Sequence, residues 1–109
     1  MNGAISCDEL ARLMVSAQRF AVFDVRERGE YNQCQIADTT SLPRSQIEFR
    51  VAELVPDRDV QVIVYDEGGA RAPLALATLT RLGYQDVAIL DGGLSIFNRI
   101  NRYNSGVCC

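Results

Sequence analysis

Two periodicities alternate along the 109-residue chain. Ser6-Cys7-Asp8-Glu9 is a capping box, serine first and glutamate three later. The helix it opens carries Leu10, Leu13 and Met14 on one face. Phe20-Ala21-Val22-Phe23 is a short apolar run ending in Asp24 and predicts a buried strand. Residues 28–32 predict a short helical turn. Residues 36–42 predict a loop leading into a short strand closed by Pro43. A second helix is expected over 44–55, with Ile47, Val51, Leu54 and Val55 on one stripe, stopped by Pro56-Asp57. Residues 60–65 give the strongest strand signal, a near-continuous apolar run suited to a strand covered on both faces. A helix over 72–82 follows; it tolerates Pro73 in its first turn and is closed by Gly83. Residues 87–90 predict a strand, Asp91-Gly92-Gly93 a turn, and 94–102 a last helix.

Helices and short strands thus alternate throughout, without repeat, linker or low-complexity segment. The expected fold class is α/β, three-layered, with a mainly parallel sheet of about five strands and helices on both faces. In such sheets ligands sit beyond the carboxyl ends of the strands. Asp24 and Asp66 answer to that description.

Composition narrows the chemistry mainly by what is missing. The length suits one domain, 1–109. No apolar run approaches the ~18 residues needed to span a bilayer, and no charged-then-apolar leader opens the chain, so a cytoplasmic location is expected. The net charge of −3 is spread among interspersed acids and bases, which argues against nucleic-acid and membrane partners. Histidine is absent, which removes imidazole as a general base or metal ligand. Lysine is absent too, so Schiff-base chemistry and a P-loop lysine are excluded. No metal or other cofactor is expected. All bases are arginines, suited to oxyanions rather than proton transfer. Cys7, Cys34, Cys108 and Cys109 match no zinc or C-x-x-C spacing. They are expected as free thiols, the last two in a frayed tail.

The stretch 66–71, Asp66-Glu67-Gly68-Gly69-Ala70-Arg71, joins a buried strand to the first turn of a helix. Gly68 and Gly69 permit successive N–H groups to point inward as an anion nest. The helix start adds its positive end, and Arg71 can close the ring. A plain strand-to-helix loop, with glycines for the turn, is the competing reading.

Over residues 5–98 the chain resembles a rhodanese-like domain of the sulfurtransferase superfamily. The resemblance is carried by Phe23-Asp24-Val25-Arg26-Glu27 with Glu30-Tyr31, similar to that family's D-V-R-E-x-x-E-[FY]. Ser41-Leu42-Pro43, Val62-Ile63-Val64-Tyr65, Leu82-Gly83-Tyr84 with Val87, and Leu90-Asp91-Gly92-Gly93 continue it in order. Active members of the family carry Cys-x-x-Gly-x-Arg in the loop, and the cysteine carries sulfur as a persulfide. The resemblance puts Gly69 on the glycine, Arg71 on the arginine and Asp66 on the cysteine. Glu67 stands where a basic residue is frequent, Cys34-Gln35-Ile36 stands for Gly-His-Ile, and Phe97 for a tryptophan.

That departure implies a domain without thiosulfate sulfurtransferase activity. Its expected role is structural, regulatory or binding, with another domain or protein as partner and weak or no small-anion binding. It would be a unit cut from a longer multi-domain chain. An active sulfurtransferase is the alternative; a phosphatase is disfavoured, since neither a cysteine nor a metal cluster serves it. A carboxylate cannot store a persulfide. It also opposes an incoming thiosulfate by about 4 kcal/mol at ~4 Å and an effective dielectric near 20. Asp66 is expected either to act as the cradle's own ligand, bonded by the loop N–H groups and Arg71, or to point to solvent. Asp24 either orients Arg71 or caps the following turn. Arg26 is expected to pair with Glu30, four residues on, and Cys34 to be a spectator thiol.

Overall fold

The strand Gln61–Tyr65 runs through the middle of the molecule, and Val62, Ile63, Val64 and Tyr65 in it have no exposed surface. This explains its continuous apolar character: both of its faces are covered, so neither can be polar. The computed structural model describes residues 3–101. In chain order the elements are β1 (Gly3–Ile5), α1 (Cys7–Met14), β2 (Phe20–Asp24), α2 (Arg28–Gln33) and β3 (Thr40–Ser41). A 3₁₀ turn (Arg44–Gln46) leads into α3 (Ile47–Leu54), followed by β4 (Gln61–Tyr65), α4 (Arg71–Arg81), β5 (Val87–Leu90) and α5 (Gly93–Asn101).

The five strands form one sheet in the order β1-β5-β4-β2-β3, and every pairing is parallel. Parallel strands need crossover connections, and the helices supply them on both faces. On one face Val51 and Val55 at α3, and Ala72, Ala75 and Leu79 from α4, pack against Phe23, Val62, Val64 and Val87. On the other, Cys7 and Leu10 from α1, and Leu94 and Phe97 from α5, cover Val22, Ile63, Tyr65, Ala88 and Leu90. The predicted α/β class is therefore observed, with the alternation of side chains along β4 and β5 dividing the core into two layers.

The capping box at α1 forms as expected: Ser6 Oγ accepts from the Glu9 N–H at 3.1 Å, and Glu9 Oε1 accepts from the Ser6 N–H at 3.0 Å. The helix expected over 44–55 opens instead as a 3₁₀ turn, where the Gln46 N–H reaches the Pro43 carbonyl at 2.8 Å. Strand β1 was not foreseen. Its three residues are exposed or half-buried and show no alternation, so its pairing with β5 leaves no periodic trace. Residue 102 of the expected last helix lies outside the described residues.

The register places Asp24 opposite Tyr65, so β2 and β4 end side by side. The turn after β5 is pressed onto the loop that follows β4. A Cβ on Gly93, whose φ is +60°, would lie 2.4 Å from the Asp66 carbonyl oxygen and 2.7 Å from the Gly68 nitrogen. The Leu94 N–H donates to that same carbonyl at 2.8 Å, and Ser95 Oγ donates to the Glu67 carbonyl at 2.6 Å. Both the left-handed backbone and the close approach demand glycine here. Gly93→Ala is expected to destabilise the domain by about 3 kcal/mol, read as a lowered urea midpoint in equilibrium unfolding.

Candidate functional site

A strand that ends in a helix leaves the first N–H groups of that helix without intrahelical partners. Here Asp66 meets them. Its side chain turns back into its own loop, where Oδ1 accepts from Gly68 N at 2.6 Å and Gly69 N at 2.9 Å, and Oδ2 accepts from Ala72 N at 2.8 Å. The residue is 2% exposed. Of the two expected readings, the carboxylate pointing to solvent is contradicted. Gly68 takes φ +120°, a conformation that a side chain rarely adopts, and this turns its N–H inward.

Arg71 does not join this arrangement. Its guanidinium reaches across the mouth of the loop to Glu30 on α2, Nη1 to Oε1 at 2.7 Å and Nη2 to Oε2 at 3.0 Å. Nη2 also donates to Glu67 Oε2 at 2.5 Å. Such a paired, two-pronged contact fits the planar fork of arginine. The two carboxylates raise the Arg71 pKa, Glu30 before Glu67. The expected Asp66–Arg71 bond is thus replaced by a pair of glutamates that take the cation first. Glu67 folds over the loop, its Oε1 lying 3.1 Å from where a Cβ on Gly69 would sit. Ala70, the residue before α4, is exposed.

Asp24 and Arg26 form a separate unit. Asp24 has no exposed surface and Arg26 is 6% exposed. Arg26 Nη2 meets Asp24 Oδ2 at 2.7 Å and the Cys34 carbonyl at 2.6 Å, and its Nε meets Oδ1 at 3.0 Å. The Arg26 N–H also donates to Asp24 Oδ1 at 2.9 Å. Asp24 therefore caps the turn rather than orienting Arg71. Arg26 pairs with Asp24 rather than with Glu30, because burial of the strand end leaves its carboxylate needing a cation more than the half-exposed Glu30 does. Beside them Tyr65 Oη accepts from the Ile36 N–H at 3.2 Å and shares a 3.0 Å bond with Thr39 Oγ1; burial pushes its pKa up.

The cysteines depart from expectation at one position. Cys34 is disulfide-bonded, not a free spectator thiol; proximity in the fold, not spacing in the chain, decides such pairing. Cys7 is free and 5% exposed, with its pKa raised by burial and then by Asp8 and Asp91, which makes it an unreactive thiol. Cys108 and Cys109 lie outside the described residues. Among the described residues no group of three or more histidine, cysteine, aspartate or glutamate side chains is placed to hold a metal ion, and no helix is long and apolar enough to cross a membrane.

The loop, β5 and β1 border an open hollow of about 260 Å³ lined by Asp66, Gly68, Pro73, Ile89 and Asp91 among others. Sequence reasoning grouped Asp66, Glu67, Gly68, Gly69, Ala70 and Arg71 as one loop; the structure puts Arg71 at the start of α4 and gives it Glu30 as a partner that the sequence did not suggest. The same reasoning predicted the Asp91-Gly92-Gly93 turn but not that this turn and Ser95 support the loop. The glycine pair was the available signal for that support.

Two outcomes follow from the geometry. Asp66→Asn puts an NH₂ group against one of the N–H donors, Ala72 above all, and is expected to cost about 1–3 kcal/mol in urea unfolding, whereas Glu67→Gln changes stability by less than about 0.5 kcal/mol. The Arg71 hydrogen bonds hold the Glu30 carboxyl at about 2, down from 4.5. A folded-state value below the unfolded one means that this contact's stabilisation is complete above the unfolded value and is lost as pH falls through about 2. An NMR titration of the Glu30 carboxyl should give that low midpoint in the wild type and a value moved back up in Arg71→Gln.

Comparison with known proteins places these features in a family. The rhodanese-like domain matches residues 6–99. A protein named sulfurtransferase from Allochromatium vinosum is 32% identical over 99 residues, covering 91% of each chain. The Xenopus laevis centrosomal protein of 41 kDa B is 28% identical over 73% of this chain but only 24% of its own length. Among solved structures, a thiosulfate sulfurtransferase from Pseudomonas aeruginosa superimposes with a TM-score of 0.87 at 34% identity, over 91% of this chain and 19% of that one. The present chain thus spans nearly all of one relative and about a fifth to a quarter of the others. With the family model matching residues 6–99 and the fold in agreement, the chain belongs to the rhodanese-like domain family.

Proposed function

We propose that this chain is a rhodanese-like module without thiosulfate sulfurtransferase activity, serving as a structural, regulatory or binding domain toward another domain or protein. One observation carries the reading. The carboxylate that the family resemblance puts at the sulfur-carrying position is buried and takes the N–H groups of Gly68, Gly69 and Ala72. Sulfur transfer needs a soft thiolate that attacks the donor's sulfane sulfur and keeps it as a persulfide. A carboxylate oxygen supplies neither step. The neighbouring charges oppose the donor as well: the carboxylates of Glu67 and Glu30 take the Arg71 guanidinium, while that of Asp66 fills the loop. A role within a longer protein agrees with relatives of which the match covers only 24% of the length. The expected location is the cytoplasm, and no cofactor is required by this reading.

A second reading, an active sulfurtransferase, is favoured by the Allochromatium relative, whose name states that activity and whose whole length is nearly matched. It would need a sulfur carrier, and among the described residues the one free thiol is the buried Cys7. Steady-state formation of thiocyanate from thiosulfate and cyanide separates the two. The wild-type protein is expected to give no rate above the protein-free control. A sustained rate that scales with protein concentration establishes the second reading and ends the first.

A further inference from the structure

The loop mouth has a charge-bearing residue whose position exceeds what a filled cradle requires. Asp66 takes three N–H groups around the loop, those of Gly68, Gly69 and Ala72. Glu67 adds nothing to that arrangement, yet it is held in place from two directions. Its carbonyl accepts from Ser95 Oγ at 2.6 Å, which fixes its backbone. Its carboxylate lies over Gly69 and takes Arg71 Nη2, four residues on. Arg71 offers five N–H donors, and three of them are spent on Glu30 and Glu67. Both hydrogens on Nη2 are used this way. The Arg71 cation at the mouth is thus turned sideways and paired before any ligand arrives.

We propose that Glu67 sets the charge selectivity of this loop: by holding Arg71 against Glu30 it turns a cradle of the oxyanion-binding kind into a mouth that repels anions and admits neutral or cationic groups. The proposal deepens the reading of a module that does not accept thiosulfate and rests on it, but assigns the rejection to a second residue, independent of the missing thiol. Electrostatics gives the reason. Glu30 alone would leave the guanidinium and one carboxylate balanced. The Glu67 charge leaves a surplus of negative charge within a few ångströms of the exposed loop rim, where a part-exposed site is screened but not silent.

A pair of alkylating reagents of equal size and opposite demand tests this directly. D66C introduces a thiol at the loop floor, and its thiolate attacks the CH₂ carbon of either iodoacetate or iodoacetamide, forming the S–C bond and releasing iodide. The ratio of the two rates, followed on the loop peptide by mass spectrometry, cancels thiolate fraction and access and leaves the charge of the mouth. Adding E67Q keeps an oxygen acceptor for Arg71 while removing the charge. The ratio of iodoacetate to iodoacetamide is expected to rise about tenfold in D66C/E67Q over D66C at low salt. That gain is expected to shrink in 1 M salt, as a charge effect must. A ratio that changes less than twofold overturns the proposal, as does a rise that salt leaves intact. Should D66C fail to fold, A70C with and without E67Q gives the same comparison from the exposed rim, with Asp66 in place. Thiosulfate turnover by the wild-type protein would remove the functional reading while leaving the alkylation ratio to judge Glu67 separately.

Discussion

The loop depends on a single obligation: the N–H groups where β4 gives way to α4 must be satisfied although the strand beneath them is sealed from water. Tyr65, the last residue of β4, has no exposed surface, and Asp66 follows at 2%. The Ala72 donor is buried and those of Gly68 and Gly69 are part-buried, and the Asp66 side chain serves all three from within. An aspartate is short enough to curl back on its own chain and offers two oxygens, which is what three converging donors need. Gly68 then has to take its unusual φ, and the turn after β5 has to come close without a side chain at Gly93. The carboxylate is therefore as much a part of the loop's folding as of its chemistry.

Two arginines within this corner are used in different ways. Arg26 is buried with Asp24, and the pair is completed by the Arg26 N–H and the Cys34 carbonyl. Buried charges are tolerable only when partnered this fully, and the arrangement locks the passage from β2 into α2. That passage delivers Glu30, whose Oε1 also accepts the Glu27 N–H at 3.1 Å, to the mouth of the loop. Arg71 and Glu30 are part-exposed by comparison, so their contact contributes direction more than stability. The buried pair thus aims the exposed one.

Much of this was legible in the chain. The apolar run of β4, the capping box at Ser6 and the glycine after α4 act through local backbone preference and burial, which leave a periodic trace in the sequence. The α/β class followed from their alternation. The loop over residues 66–70 and the helix that follows it were equally visible. What escaped depends on which strands lie side by side. Spacing suggested Arg26 with Glu30, four apart; the sheet order, with β2 beside β4, instead brings Arg71 to Glu30 from 41 residues away. β1 escaped because three half-exposed residues carry no pattern. The disulfide at Cys34 escaped because bond formation answers to proximity in space.

The contact between α5 and the loop has a mechanical meaning. Leu94 and Ser95, in the first turn of α5, are bonded to the carbonyls of Asp66 and Glu67. Leu94 and Phe97 anchor the same helix in the core. The loop cannot widen while that helix stays seated, and the helix cannot tilt without dragging the two acidic residues along. Whatever grips or displaces the helix is coupled through two carbonyls to the carboxylates at the far end of the lever.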